Sequence, residues 1–248
     1  MYSMKRQTPP LVALFCALFI SIQATAADLV LVAGATGKTG QHVVSQLLEN
    51  GYAVRALVRN ADTATEKLDP QVELAVGDVT VPESLKAAFK GVTQVVSAIG
   101  ASEKEGPNSP EFVDYAGNNS LVDAAHNAGV EQFVLVSSMG VTHEDHVLNR
   151  IFGNVLIWKM KSEDYLRNSG VHYTIIRPGG LHDKAGGEQL VVFEQADTVK
   201  TVSIARADVA TVCVAALGNV EAIDKTFEVF TVKMPPENNW QEKFAALD

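Results

Sequence analysis

Leu29-Val30-Leu31-Val32-Ala33-Gly34-Ala35-Thr36-Gly37-Lys38-Thr39-Gly40 is the stretch on which the reading of this chain turns. Five apolar residues make a buried strand, and three glycines follow at G-x-x-G-x-x-G spacing. Gln41 to Glu49 then places Val43, Val44, Leu47 and Leu48 on one helical face, and Gly51 ends that helix. Such a loop turns sharply and lets the backbone approach a pyrophosphate with no Cβ in the way. The helix N-terminus beyond it offers unpaired N–H groups and a partial positive charge. Glycines also serve ordinary tight turns, so the strand before and the amphipathic helix after carry the weight.

Working outward, further strands are expected over Ala53 to Val58, Val72 to Val76, Gln94 to Ala98, Gln132 to Ser137, His172 to Arg177 and Phe227 to Thr231. Helical patterns separate most of them, over Pro82 to Lys90, Val113 to Ala128, Val155 to Asn168 and Ala207 to Leu217. This alternation predicts an α/β fold: a Rossmann-type doubly wound parallel sheet of about seven strands with helices on both faces. Pro235 to Asp248 reads as a tail in which Trp240 and Phe244 dock a final helical turn. The loop Ala101 to Pro110 is polar and is expected to border the mouth of the site.

The first residues have a different character. Lys5 and Arg6 precede an apolar run from Leu11 to Ile22, and Ala24-Thr25-Ala26 supplies small residues. That order matches a secretory signal peptide over residues 1–26, leaving residues 27–248 as a single NAD(P)-binding domain. The expected address is periplasmic. The alternative is a membrane anchor formed by an uncleaved signal, although the run is shorter than the roughly 20 residues that span a bilayer. Cys213 is then the only cysteine left, in an apolar helical stretch where it reads as a buried small hydrophobe. Lys and Arg total 20 against 29 Asp and Glu, a net charge of −9, which argues against nucleic-acid binding. A monomer with a small-molecule substrate is expected.

The end of the second strand should carry the residue that reads the adenosine ribose. Arg59 stands there instead of an acid, and a guanidinium grips a 2′-phosphate. NADP is therefore expected, with NAD as the other possibility; the bland reading is a solvated loop arginine. Lys38 either adds charge near that phosphate or is simply solvated. Asp78, in Gly77-Asp78-Val79, is placed to meet the adenine or to cap the next turn. Ala98, Ile99 and Gly100 are small enough to let the cofactor pass.

These landmarks resemble those of the atypical short-chain dehydrogenases/reductases of the NmrA-like, biliverdin-IX-beta-reductase-like group. To the glycine loop and Arg59 they add Val136-Ser137-Ser138, Trp158-Lys159-Met160-Lys161-Ser162-Glu163, Thr174-Ile175-Ile176-Arg177-Pro178-Gly179 and Arg206-Ala207-Asp208-Val209-Ala210. The resemblance implies cofactor contacts from Gly34 through Gly40, Arg59, Asp78, Val79, Ala98, Ile99, Gly100, Lys159 and Pro178. It also implies catalytic positions at Lys159 and at Ser137 or Ser138. One departure matters. The superfamily's tyrosine, four residues before the lysine, is replaced by Val155, and Tyr165 lies beyond the lysine on the same helix.

That departure leaves two expectations: a reductase of a flavin-, quinone- or tetrapyrrole-like acceptor, or an NADP-binding redox sensor or assembly protein without turnover. His143-Glu144-Asp145-His146 has metal-ligand types in one turn, yet no third ligand follows by spacing, so no metal is expected and a solvated loop is the simpler reading. His182 is either a donor at the mouth or a surface residue. Asp208 is expected to stabilise a helix N-terminus. Asn118 either steadies the fourth strand or faces solvent.

Overall fold

The computed structural model describes residue 1 and residues 28–199 and 201–248. The expected leader, with Leu11 to Ile22 and Cys16, lies outside the described residues. β1 (Leu29–Ala33) leads into α1 (Lys38–Glu49), β2 (Ala53–Val58), the short α2 (Ala61–Thr65) and β3 (Glu73–Val76). A 3-10 turn over Pro82–Leu85 precedes β4 (Gln94–Ser97). A π-turn, Glu111–Gly117, runs straight into α3 (Asn118–Ala128), followed by β5 (Gln132–Val136), α4 (Val147–Ile151) and α5 (Val155–Arg167). β6 (Tyr173–Pro178), β7 (Gly180–His182), β8 (Leu190–Glu194) and β9 (Ser203–Ala205) come next. α6 (Arg206–Ala216), a 3-10 turn over Val220–Ala222, β10 (Lys225–Val232) and α7 (Trp240–Ala245) close the chain.

The main sheet has eight strands in the order β3-β2-β1-β4-β5-β6-β10-β8, and every neighbouring pair is parallel except β10–β8. The chain winds outward in both directions from β1, as the sequence predicts. A crevice therefore opens between the C-terminal ends of β1 and β4, where doubly wound sheets bind ligands.

Period-two alternation divides the core. Val30 and Val32 of β1 join Val43, Val44 and Leu47 of α1 and Val209, Val212 and Cys213 of α6 on one face. Leu31 and Ala33 join Leu85, Phe89, Leu121, Val122 and Leu166 on the other. Cys213 is fully buried, and burial pushes its thiol up to about 12, so it is packing and not a nucleophile.

Three elements differ from expectation. The helix expected over Pro82 to Lys90 is a single 3-10 turn over Pro82–Leu85, and Arg55 Nη1 donates to the carbonyls of Ala88 and Lys90 beyond it, at 2.7 Å from each. The helix expected from Val113 begins instead as the π-turn at Glu111. The segment from Gly180 to Gln195, over which no strand is expected, supplies β8 as an antiparallel edge and β7, which pairs with β9 in a separate two-stranded sheet. Phe193 of β8 earns that edge its place. Its ring centroid lies 4.4 Å from Phe227, 5.2 Å from Phe244 and 6.2 Å from Trp240, so the expected docking of the tail is made through β8.

Replacing Phe244, which is fully buried, by Ala should cost about 3–5 kcal/mol in urea unfolding and free the tail to proteolysis.

Candidate functional site

Loop geometry shows why the glycines are glycines. Gly34 has φ +82°, and a Cβ there would lie 2.6 Å from the Ala98 carbonyl oxygen. A Cβ on Gly40 would lie 2.1 Å from the Gly34 carbonyl oxygen, and one on Gly37 3.1 Å from the same atom. The turn is closed on itself and on β4, leaving a cradle that a side chain would fill. Thr39 is buried under it, and Ala35 packs into the core.

A cavity of about 250 Å³ runs from this loop to the end of β2 and the end of β3. Gly34, Thr36 and Gly37 line one end, Arg59, Asp78, Val79 and Thr80 the other, with Ala98, Ile99 and Gly100 between them. These predicted positions therefore share one groove. A larger cavity, about 1020 Å³, lies between the 82–91 segment and α3 and holds none of them.

Details within the groove sharpen the reading. Arg59 is exposed, and its Nη1 donates to Asn108 Oδ1 at 3.1 Å. The loop Ala101 to Pro110 thus reaches across to Arg59 beyond the end of β2; Asn108 was not anticipated. The carboxylate of Asp78 accepts from the amide and hydroxyl of Thr80, the turn-capping alternative. Lys38 does not line the groove: its ammonium lies 2.6 Å from Asp183, which also holds Arg206 at 2.5 Å. That placement corrects the notion that Lys38 adds charge beside Arg59. The two cations hold the Asp183 carboxyl below its ordinary value, the hydrogen bond from Lys38 first among causes.

At the other end of the crevice stands Lys159 on α5. Its ammonium is 2.7 Å from Oδ1 of Asp114, a carboxylate with no exposed surface on the π-turn. Oδ2 of Asp114 accepts from the Ala101 amide at 2.9 Å. One turn further on, Asn118 Nδ2 donates to the Asp114 carbonyl at 2.9 Å, and Ser97 Oγ donates to Asn118 Oδ1 at 2.6 Å. Asn118 is therefore buried and tied to β4, the first of its two expected roles.

The two serines part company. Ser137 is buried, and its hydroxyl donates to Glu163 Oε1 at 2.5 Å, which corrects the expectation of a free catalytic hydroxyl at that position. Ser138 is half-buried and donates to the Met139 carbonyl. Pro178 is buried at the end of β6, where its carbonyl accepts from the Met139 amide at 3.0 Å.

Beneath these residues runs a charge network that sequence reading missed. Arg177 donates from Nε and Nη2 to Glu163, at 3.1 Å and 2.7 Å, and from Nη1 to Glu228 at 3.3 Å. Arg167 Nη2 adds a second cation to Glu163 at 2.7 Å. Burial works against the Arg177 charge, but its carboxylate partners outweigh that and raise its pKa. Burial raises that of Glu228, and Arg177 only partly offsets it. Glu228 also accepts from the amide of Asp197 at 3.1 Å, and Asp197 in turn accepts from the amides of Gly140, at 2.7 Å, and Thr142, at 3.1 Å. The floor of the site is thus pinned to the loop after β5.

The remaining candidates hold structure. His143 Nε2 meets the Asp197 carbonyl at 2.9 Å, and His146 Nδ1 accepts from the Leu148 amide at the start of α4. Among the described residues no group of three or more His, Cys, Asp or Glu is placed to hold a metal. His182 is half-buried on β7, and its Nδ1 has no partner. Asp208 sits in the first turn of α6 as expected, and its carboxylate takes the Gly187 amide at 2.6 Å. Tyr165 donates to Asp123 on the surface, away from Lys159's partners.

Comparison with known proteins follows the same lines. The family model described as NAD(P)H-binding matches residues 34–220. The chloroplastic protein At2g37660 of Arabidopsis thaliana is 40% identical over 85% of this chain and 72% of its own. Sanguinarine reductase of Eschscholzia californica is 38% identical over 81% of this chain and 88% of its own. The solved structure of ChuY, titled an anaerobilin reductase, from Escherichia coli O157:H7 superimposes with a TM-score of 0.69 at 27% identity, over 84% of this chain and all of that one. The expected periplasmic address does not stand against these relatives: At2g37660 and other plant relatives are named chloroplastic. Among the described residues no helix is long and apolar enough to cross a membrane.

The carboxyl of Asp197 sits below its ordinary value: burial raises it, but the amides of Gly140 and Thr142, the Thr142 hydroxyl and Arg177 together lower it further. A depressed carboxylate stabilises the fold above its unfolded pKa and loses that contribution as pH falls through the folded one. Asp197→Asn should therefore flatten the loss of stability below about pH 4, while costing about 1–3 kcal/mol at pH 7 where the acceptors are weakened; urea melts at both pH values measure this.

Proposed function

The chain belongs to the NAD(P)H-binding family, and we propose that within it the protein is an NADPH-dependent reductase of a conjugated small molecule, flavin-, quinone- or tetrapyrrole-like in build. We read residues 27–248 as one nucleotide-binding unit. The carrying observation is a groove that joins the glycine cradle of Gly34, Thr36 and Gly37 to the exposed guanidinium of Arg59, which Asn108 holds, with Lys159 paired to Asp114 just beyond its lining and no tyrosine beside it.

In this reading the cradle from Gly34 to Gly40 and the N-terminus of α1 hold the pyrophosphate. Arg59 takes the adenosine 2′-phosphate in charge-assisted hydrogen bonds, which favours NADP over NAD. Ala98 to Gly100 leave room for the ribose, and Lys159 and Pro178 border the nicotinamide. When bound, the reduced cofactor supplies a hydride. Val155 offers no proton in place of the tyrosine, and Ser137 has committed its hydroxyl to Glu163. A conjugated acceptor suits such a site, because it takes hydride at one atom and receives its proton from water. The relatives named as reductases support the oxidoreductase class. The committed Ser137 hydroxyl and missing tyrosine also favour a second reading, an NADP-binding sensor or assembly protein without turnover.

Calorimetric titration with NADPH and NADH tests the reading. Arg59→Ala should weaken NADPH about 10–100-fold, as expected for losing charge-assisted bonds, and leave NADH nearly unchanged; equal weakening of both would sink the assignment of Arg59. Tight NADPH binding with no oxidation of the cofactor by flavins or quinones would decide for the second reading.

A further inference from the structure

We propose that Asp114 is the positioning residue of the site: in the absence of the motif tyrosine it fixes Lys159, and with the same carboxylate it fixes the backbone along which the cofactor runs. The inference rests on the nucleotide-groove reading above but not on turnover.

Three observations carry it. First, Asp114 has no exposed surface, and its two oxygens are divided between the Lys159 ammonium at 2.7 Å and the Ala101 amide at 2.9 Å. A buried carboxylate needs a partner for each oxygen, and here one partner belongs to α5 and the other to the loop after β4. Second, the backbone is shaped to bring it there. Asp114 lies in a π-turn, a feature that moves side chains out of ordinary helical register and recurs at functional sites. The turn is pressed against the groove by Gly117, where a Cβ would lie 2.7 Å from Val79 Cγ2. Third, Gly100 of the groove lining lies beside the pair: a Cβ there would be in ordinary contact with Asp114 Oδ1, at 3.8 Å.

The chemical consequence concerns the lysine. The 2.7 Å ion pair with Asp114 Oδ1, an oxygen with no other partner, fixes where the ammonium sits and leaves its donors for a ligand in the crevice. Lys159, so held, serves as a fixed donor to the cofactor's ribose hydroxyls.

The test is a double-substitution cycle on the full chain, read by calorimetry with NADPH and with adenosine 2′,5′-bisphosphate, which lacks the nicotinamide end. Asp114→Asn and Lys159→Met should each weaken NADPH about tenfold or more, and the double variant should be no worse than either. Binding of the bisphosphate should stay within about twofold throughout, because it engages Arg59 and the glycine cradle but does not reach Lys159. Multiplicative losses, an Asp114→Asn variant that binds NADPH like the parent, or parallel loss of the bisphosphate would each overturn the proposal. Should Asp114→Asn alone fail to fold, the double variant, which removes both charges, is compared with Lys159→Met: equal NADPH affinity supports the assignment and a further tenfold loss, about 1.4 kcal/mol, refutes it. If the parent protein binds the bisphosphate and NADPH but reduces no acceptor, the positioning role stands and the reductase reading falls. If it binds neither nucleotide, both fall.

Discussion

Everything in this site is referred to one close approach, that of Gly40 to the carbonyl of Gly34. Because no side chain intervenes, the first turn of α1 rests directly on the loop that leaves β1. That contact sets the tilt of α1 against the sheet and so its packing on α6. The same loop is pinned from the other side, since Gly34 also lies against the backbone of Ala98 at the end of β4. The separation of β1 and β4 at their C-terminal ends, and with it the width of the crevice, follows from two contacts that only hydrogen atoms can occupy.

Below the crevice the protein solves an electrostatic problem in two separate places. Asp114 is matched to Lys159, and Glu163 is matched to Arg177 and Arg167. Removing one member of such a pair strands a charge in a medium that solvates it poorly, which costs more than the pair contributes. The two clusters differ in what they reach. The first touches the backbone beside the nucleotide groove, whereas the second ties β6 and β10 to the loop after β5 through Glu228 and Asp197. Site geometry is thereby anchored to four strands of the sheet and not to a loop alone.

The residues visible from sequence are those whose meaning is local. Gly34, Gly37 and Gly40 announce themselves by spacing between a strand and a helix, and Arg59 by its distance from them. Val30 against Leu31 shows the two faces of the sheet by simple alternation. What stayed hidden depends on contacts far apart in the chain. Asp114, between Val113 and Tyr115, looks like a charge on an exposed helical face until the π-turn rotates it inward. Ser137 looks like a catalytic hydroxyl until Glu163, 26 residues away, claims it. The segment Pro82 to Lys90, read as a helix, is a short 3-10 turn whose following carbonyls, of Ala88 and Lys90, meet Arg55 of β2. β8 was masked because the pattern of Leu190 to Glu194 is short, and its partners Phe227 and Phe244 lie in later segments.

β8 is also the outermost strand, so one row of its backbone groups faces away from the sheet. Unsatisfied rows of that kind recruit strands from other molecules, and proteins that persist in crowded compartments guard them. Here the guard comes from the tail: Lys243 of α7 donates to the Val191 carbonyl at 3.1 Å and sets a cation on the rim. At the opposite rim β3 is only four residues long and begins with Glu73, paired to Arg55. The last helix therefore protects colloidal behaviour as well as the core, and a chain clipped before it would be expected to polymerise through its rim while its nucleotide groove remained intact.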